Sequence, residues 1–366
     1  MKIPLGLFIL MTSLIGSTSA ATQTDGALHG WKLLAPLPDP VGYAGMFGGV
    51  LHDRVVVGGG SQFPSKPFWL KGEKAFSDRI FTLSTLSGKW EEHATKLPYP
   101  VANCAMATTA EAIYLAGGVN AEGCLRHVLE IRADGKNFTF KRLPELPEAL
   151  CYTSGGIAGG RLYVVGGATA PAAKTATAAV WSLDLSAGEK GVWKREADVP
   201  GHGIFVTSMA SDGEAVYLFG GVEFDAAGKS IPLKTAYRLG ASGGQWERLP
   251  DLPAARVGPT YPAHIVSGKV FLIGGYAEIF PGAPREHPGF SSQTLYYDLS
   301  RKTWSQGPRL PQSKVSDRDS PTDLAPSPMV AAPTMLWRDH VIVVGGETRS
   351  STRTPVVLAW PLKGTR

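Results

Sequence analysis

An apolar run ending in Gly-Gly recurs six times along the 366 residues, at Gly58-Gly59, Gly117-Gly118, Gly166-Gly167, Gly220-Gly221, Gly274-Gly275 and Gly345-Gly346. Successive first glycines are 59, 49, 54, 54 and 71 residues apart. A unit this short cannot bury its own apolar face, so a repeat at this period implies stacked or circularly arranged modules. Each unit carries more than the glycines. A strand-like segment follows, such as Ile80-Phe81-Thr82-Leu83 or Leu295-Tyr296-Tyr297-Asp298-Leu299. Then comes Trp90, Trp193, Trp246 or Trp304, with Phe140 in the second unit, and then Leu-Pro or Val-Pro at Pro98, Pro147, Pro200, Pro253 and Pro311. Four short strands per unit of about 50 residues predict an all-β chain, a six-bladed kelch-type β-propeller. In that reading the glycines turn the chain where a neighbouring ring packs too close for a Cβ. The tryptophans fill the gaps between blades, and the prolines stand where no ladder hydrogen bond is needed.

The sixth unit lacks its Trp strand, since Gly345-Gly346 is followed only by Pro355 to Trp360 before the chain ends. The missing piece stands at the other end, as Trp31-Lys32-Leu33-Leu34 followed by Leu37-Pro38. The N-terminal strand is therefore expected to complete the last blade, which removes the exposed sheet edges. The propeller spans 21–366 as one domain. A degenerate seventh blade inside the long fifth unit is the rival, against which the polar, proline-rich stretch from Gln312 to Pro328 reads as an inter-blade loop.

Composition excludes several classes. Gly 44 and Pro 28 without a period of three rule out collagen, and 43% hydrophobic residues supply a core that a disordered chain lacks. The net charge of +5 comes without a Lys/Arg run, so no nucleic-acid surface is expected. Lys2, the apolar stretch Ile3 to Ile15 and the small residues Gly16 to Ala21 read as a secretory signal peptide over 1–20, cleaved after Ala20 or Ala21. The mature chain is then periplasmic or secreted and free of the membrane. Cys104, Cys124 and Cys151 are an odd number, so at least one thiol stays free. They read first as small buried hydrophobes, and a bridge from Cys104 to Cys124 or Cys151 is the alternative.

A repeat supplies its own control, because equivalent positions see equivalent scaffolding. The residues after each Gly-Gly are Gly60, Val119, Ala168, Val222, Tyr276 and Glu347, expected on the face where the chain enters each blade, near the central channel. Five are uncharged and one is acidic. A carboxylate in such a confined mouth suits general-base work. Arg353, six residues on, is a side chain suited to gripping a carboxylate with two parallel hydrogen bonds. A Glu–Arg ion pair that merely stiffens the loop is the competing reading. Gln62, Lys66, Asn103, Arg256 and Glu278 are the further substrate-binding candidates on this face. His264 and His287 have no partners at metal-ligand spacing, so no catalytic metal and no cofactor are expected.

The six Gly-Gly units, the export segment and Gly346-Glu347-Thr348 followed by Arg353-Thr354 resemble the N-acetylneuraminate epimerases, or sialic acid mutarotases. The likeness extends over Pro38-Asp39-Pro40-Val41, Ala44-Gly45, Gly58-Gly59 and the long loop from Phe63 to Asp78. In that family this blade follows the Glu/Arg blade. Here it comes first and the Glu/Arg blade last, so the chain resembles a cyclically permuted branch. The resemblance implies interconversion of the α and β anomers of N-acetylneuraminic acid or a related sugar acid, with Glu347 as proton acceptor and Arg353 holding or polarising the substrate. Asn103-Cys104 departs from the aromatic-glycine pair of related permuted sequences, which puts the sugar in question rather than the reaction. The partner implied is a small sugar acid, and the fold is compatible with a homodimer. A copper oxidase lacks its His/Tyr/Cys set here, and a sialidase its Asp-box repeats. A non-catalytic exported kelch module that binds carbohydrate or protein remains the alternative.

Overall fold

The computed structural model describes residues 28–314 and 317–362, so the expected signal peptide over 1–20 lies outside the described residues. Among the described residues six antiparallel blades form, each of four main strands; the first carries a fifth, Ala75–Phe76, and three two-stranded hairpins stand beside the blades. The first contains Ala44–Leu51, Arg54–Gln62, Ile80–Leu83 and Glu91–Glu92; the second Ala105–Thr108, Ile113–Ala116, Val128–Asp134 and Asn137–Leu143. The third contains Ser154–Ala158, Arg161–Val165, Val180–Asp184 and Lys194–Arg195; the fourth Ser208–Ser211, Ala215–Phe219, Ala236–Gly240 and Glu247–Leu249. The fifth contains His264–Val266, Lys269–Ile273, Thr294–Asp298 and Thr303–Gln306. The sixth is built from Thr334–Trp337, His340–Val344 and Val357–Pro361, and its outer strand is the N-terminal Lys32–Leu33, paired with Leu358 and Ala359. The ring is thus closed by its two ends. Described residues between Gln306 and Thr334 form no strand, which excludes a seventh blade there.

The apolar runs are continuous because each blade is covered on both faces. Val55 and Val57 pack toward the sixth blade, while Val56, pointing the other way, packs toward the second. One apolar cluster fills each of the six blade interfaces. The tryptophans lock these interfaces with a hydrogen bond as well as with bulk. The indole N–H groups of Trp90, Trp193, Trp246, Trp304 and Trp31 donate to the carbonyls of Ala35, Pro144, Ala197, Pro250 and Arg309, each at the preceding blade boundary. A buried indole N–H usually finds such a partner.

The glycine corners have a different cause from the expected ring contact. The first glycine of each pair turns back with φ between 59° and 70°. A Cβ there would meet a backbone carbonyl of the next blade, for example Leu150 O at 2.4 Å from Gly117 or Ile204 O at 2.1 Å from Gly166. In the first blade the pair with positive φ is Gly59-Gly60, not Gly58-Gly59. The residue after that corner is therefore Ser61. The six equivalent residues become Ser61, Val119, Ala168, Val222, Tyr276 and Glu347, and Glu347 remains the single acid.

Candidate active site at the glycine-corner mouth

Every post-corner residue pairs with the residue that opens its own blade: Ser61 with Ala44, Val119 with Ala102, Ala168 with Cys151, Val222 with Phe205, Tyr276 with Val257 and Glu347 with Val330. One residue further on, all six blades place a residue with positive φ, namely Gly45, Asn103, Tyr152, Val206, Gly258 and Ala331. These residues link into a belt around the channel. Gly45 N–H donates to Ala331 O, Asn103 to Gly45, Tyr152 to Asn103, Val206 to Tyr152 and Gly258 to Val206, at 2.7–3.1 Å. The sixth joint, from Ala331 to Gly258, has no such bond. There the fifth blade carries extra residues before its inner strand, and Tyr261 enters the gap, its N–H donating to Ala332 O. The Tyr261 hydroxyl crosses the ring to donate to Met46 O in the first blade at 3.0 Å. Tyr261, with Met106, Met209 and Pro262, closes the floor of a cavity of about 280 Å³ that opens on the glycine-corner face.

Glu347 and Arg353 stand on the wall of this cavity. They face each other across the short hairpin Glu347–Arg349/Thr352–Arg353. Glu347 Oε1 accepts from Ser351 N at 2.8 Å, and its other oxygen lies 3.0 Å from Arg353 Nη1. The carboxylate side chain keeps 22% exposure to the cavity and the arginine only 4%. Arg353 is fixed at its root, where Nε donates to Ser61 O at 3.0 Å, and its guanidinium lies 5.3 Å from the Phe63 ring centre. Despite the ion pair, Nη1 has no aligned hydrogen-bond acceptor.

The electrostatic surroundings are asymmetric. Burial, reinforced by the Glu347 charge, pushes the Tyr276 hydroxyl up to about 12 and that of Tyr152 upward. Both line the cavity and remain O–H donors at neutral pH. Lys74, on the rim, has its ammonium crowded by protein atoms although much of the residue stays accessible. Desolvation and the nearby Arg353 charge shift its pKa down, against the pull of Glu347. Among the described residues no group of three His, Cys, Asp or Glu is placed to hold a metal ion.

Of the residues singled out in the sequence, the structure brings Glu347, Arg353 and Asn103 together on the cavity wall. Gln62, Lys66, Arg256 and Glu278 fall outside it. Lys66 and Glu278 are exposed loop residues, and Gln62 pairs with Ala75 at the strand end. Arg256, 2% exposed, points away from the opening and donates to Gly274 O at 2.9 Å, supporting the next glycine corner. Lys74, Tyr152, Tyr261 and Tyr276 line the cavity and were not among the sequence candidates for substrate. The repeat already marked Tyr276 as the one aromatic at its position. Cys124 is joined to Cys151, with Cα atoms 5.2 Å apart, while Cys104 is free and buried. This corrects the expected alternatives, because Cys104 takes no part in the bridge. The bridge ties the rim hairpin of the second blade to the start of the third, beside Tyr152.

Fold and mouth together define a six-bladed β-propeller with its charged groups gathered at one end of the channel. No family model matches the chain. The solved structure of YjhT is similar to it, with a TM-score of 0.63 and 16% sequence identity over 89% of this chain and 95% of that one. A likeness at that identity speaks for the fold.

Proposed function

We propose that this protein is a mutarotase that interconverts the anomers of N-acetylneuraminic acid or a related sugar acid. The observation that carries the reading is Glu347, the single carboxylate on the cavity wall, 22% exposed and paired with the buried Arg353 guanidinium. The sequence resemblance to the N-acetylneuraminate epimerases supports it. The cavity, just below the range of about 300–1,000 Å³ usual for ligand pockets, suits a single sugar ring rather than an oligosaccharide.

In this mechanism the Glu347 carboxylate accepts the proton of the anomeric hydroxyl. The bond between the anomeric carbon and the ring oxygen breaks as the carbonyl forms, and the ring oxygen takes a proton from a donor such as Tyr276 or water. The open keto form turns about the adjacent carbon–carbon bond. The hydroxyl formed from the ring oxygen then attacks the other face, handing its proton back to the donor that supplied it, and Glu347 returns its proton to the carbonyl oxygen. Arg353 polarises that oxygen. Atoms and protons balance over the cycle, so no cofactor is called for. The export segment extends the proposal to a periplasmic or secreted enzyme.

The second reading, a binding module without catalysis, is favoured by one contact. Ser351 N–H on Glu347 Oε1 is what a purely structural carboxylate bracing a hairpin would also make. Proton NMR of freshly released α-N-acetylneuraminic acid separates the two. The mutarotase reading expects equilibration to the β anomer to speed up in proportion to enzyme. An unchanged rate at micromolar protein overturns it.

A further inference from the structure

We infer that Lys74 is the specificity-determining residue of this cavity, its ammonium receiving the carboxylate of an anionic sugar while Arg353 stays engaged with Glu347. The inference rests on the anomerase reading for its sugar but on the structure for its anion.

Lys74 lines the same cavity as Glu347 and Arg353. Its loop is anchored beside it, because Ala75 and Phe76 pair with Gln62 and Ser61. Ser61 O is also the acceptor that fixes Arg353. One short stretch of backbone therefore positions both cations. The ammonium lies 5.8 Å from the Phe63 ring centre and 6.0 Å from that of Phe76. Phe63 is the ring that Arg353 also covers.

The charges separate the two roles. Glu347 and Arg353 cancel, so the pair exerts little net pull on an anion. A substrate carboxylate placed on Arg353 would lie beside the Glu347 carboxylate, and like charges in a confined mouth repel. Lys74 is the charge left over. Lys96, Lys141, Lys194 and Lys302 have carboxylate partners, whereas Lys74 has no ion pair among the described residues and is the one lysine that lines the cavity. The carboxylate that acts on Lys74 through space is Glu347. A cation held over a cavity by two rings, without a protein counter-ion, is arranged for an anion that comes from solution.

The test compares wild type, Lys74→Met and Lys74→Arg. Calorimetry measures binding of N-acetylneuraminic acid and of its uncharged methyl ester, and NMR measures α-to-β conversion. Lys74 is on an accessible loop, so the variants should fold, which circular dichroism checks. The expected result is an affinity for the acid about tenfold weaker in Lys74→Met, with binding of the ester unchanged, kcat within twofold and recovery in Lys74→Arg. Acid affinity unchanged in Lys74→Met overturns the inference and leaves the anomerase reading standing. A wild type that binds the acid without speeding conversion, and loses that affinity in Lys74→Met, does the reverse. A wild type that does neither overturns both.

Discussion

The central channel has two ends built from the same six inner strands, and they differ in chemistry. The glycine-corner end carries Glu347, Arg353 and Lys74. The opposite end holds a chamber of about 390 Å³ lined by residues such as Gly48, Ala107, Thr108, Gly155, Met209 and Leu336, with no Asp, Glu, Lys or Arg among its lining. The reason is steric. At this second end the strands themselves crowd the axis. A Cβ on Gly48 would meet Met335 Sδ at 2.5 Å, and one on Gly155 would meet Met106 N at 2.9 Å. Side chains at those glycines would strike the neighbouring strand. At the first end the wall is made by turns and loops, which can change residue without disturbing a ladder. The repeat builds both ends and leaves only one free to acquire chemistry.

The sharpest way to break that contrast is a matched pair of substitutions. Glu347→Gln keeps the shape and an acceptor for Ser351 N but cannot take a proton. It should lower kcat by about 10³-fold, a typical value for loss of a general base, while the protein stays folded. Thr108→Val, a comparable change at the other end, should leave kcat within twofold. Full activity in Glu347→Gln would reduce the ion pair to a brace of its hairpin. A large loss in Thr108→Val would show that the two ends are not separable.

How much of this was written in the sequence depends on what the repeat could index. The blades were legible because strand, glycine corner, Trp and Pro recur together, and Glu347 because five equivalents are uncharged. The first corner was misplaced by one residue, since Gly58, Gly59 and Gly60 look alike in sequence. The structure separates them: Gly58 is required because the Phe47 ring and Arg79 O crowd it, without a positive φ. Lys74 was not legible. Lys66, Lys71 and Lys74 share one loop, and only the pairing of Ala75–Phe76 onto Ser61–Gln62 selects the last. Arg256 was misjudged because its position in the repeat says nothing about where so long a side chain turns. Tyr261 lies in an insertion, which the repeat by its nature does not index.

The second end should act on stability rather than turnover, and His264 gives the handle. It lines that chamber, and burial holds its pKa down to about 4, well below about 6.5 for the unfolded chain. The unfolded state then binds the proton more readily than the folded one. His264 thus contributes no penalty above pH 6.5, and stability falls as the pH drops from there toward 4. Full desolvation would make the loss larger, but the residue borders an open chamber, so about 2 kcal/mol is the expected size. Denaturant titrations at pH 7.5 and pH 4.5 measure it. His264→Gln should shrink the difference between the two pH values by that amount and leave kcat alone. An unchanged pH dependence would mean that the imidazole is solvated by the chamber.

The smallest effect concerns the floor between the two ends. Tyr261→Phe keeps the ring that separates them and removes only the hydroxyl bonded to Met46 O across the channel. Met46 O loses that partner in a buried place, which costs about 1 kcal/mol. In a chain of this size that lowers Tm by only about 2 °C. Because the ring stays, KM and kcat for sugar should not move. A thermal shift as small as expected but with altered kcat would mean that the Tyr261 hydroxyl reaches the sugar as well as Met46. The floor would then belong to the glycine-corner site, and the boundary between the two ends would lie one layer deeper, at Met106 and Met209.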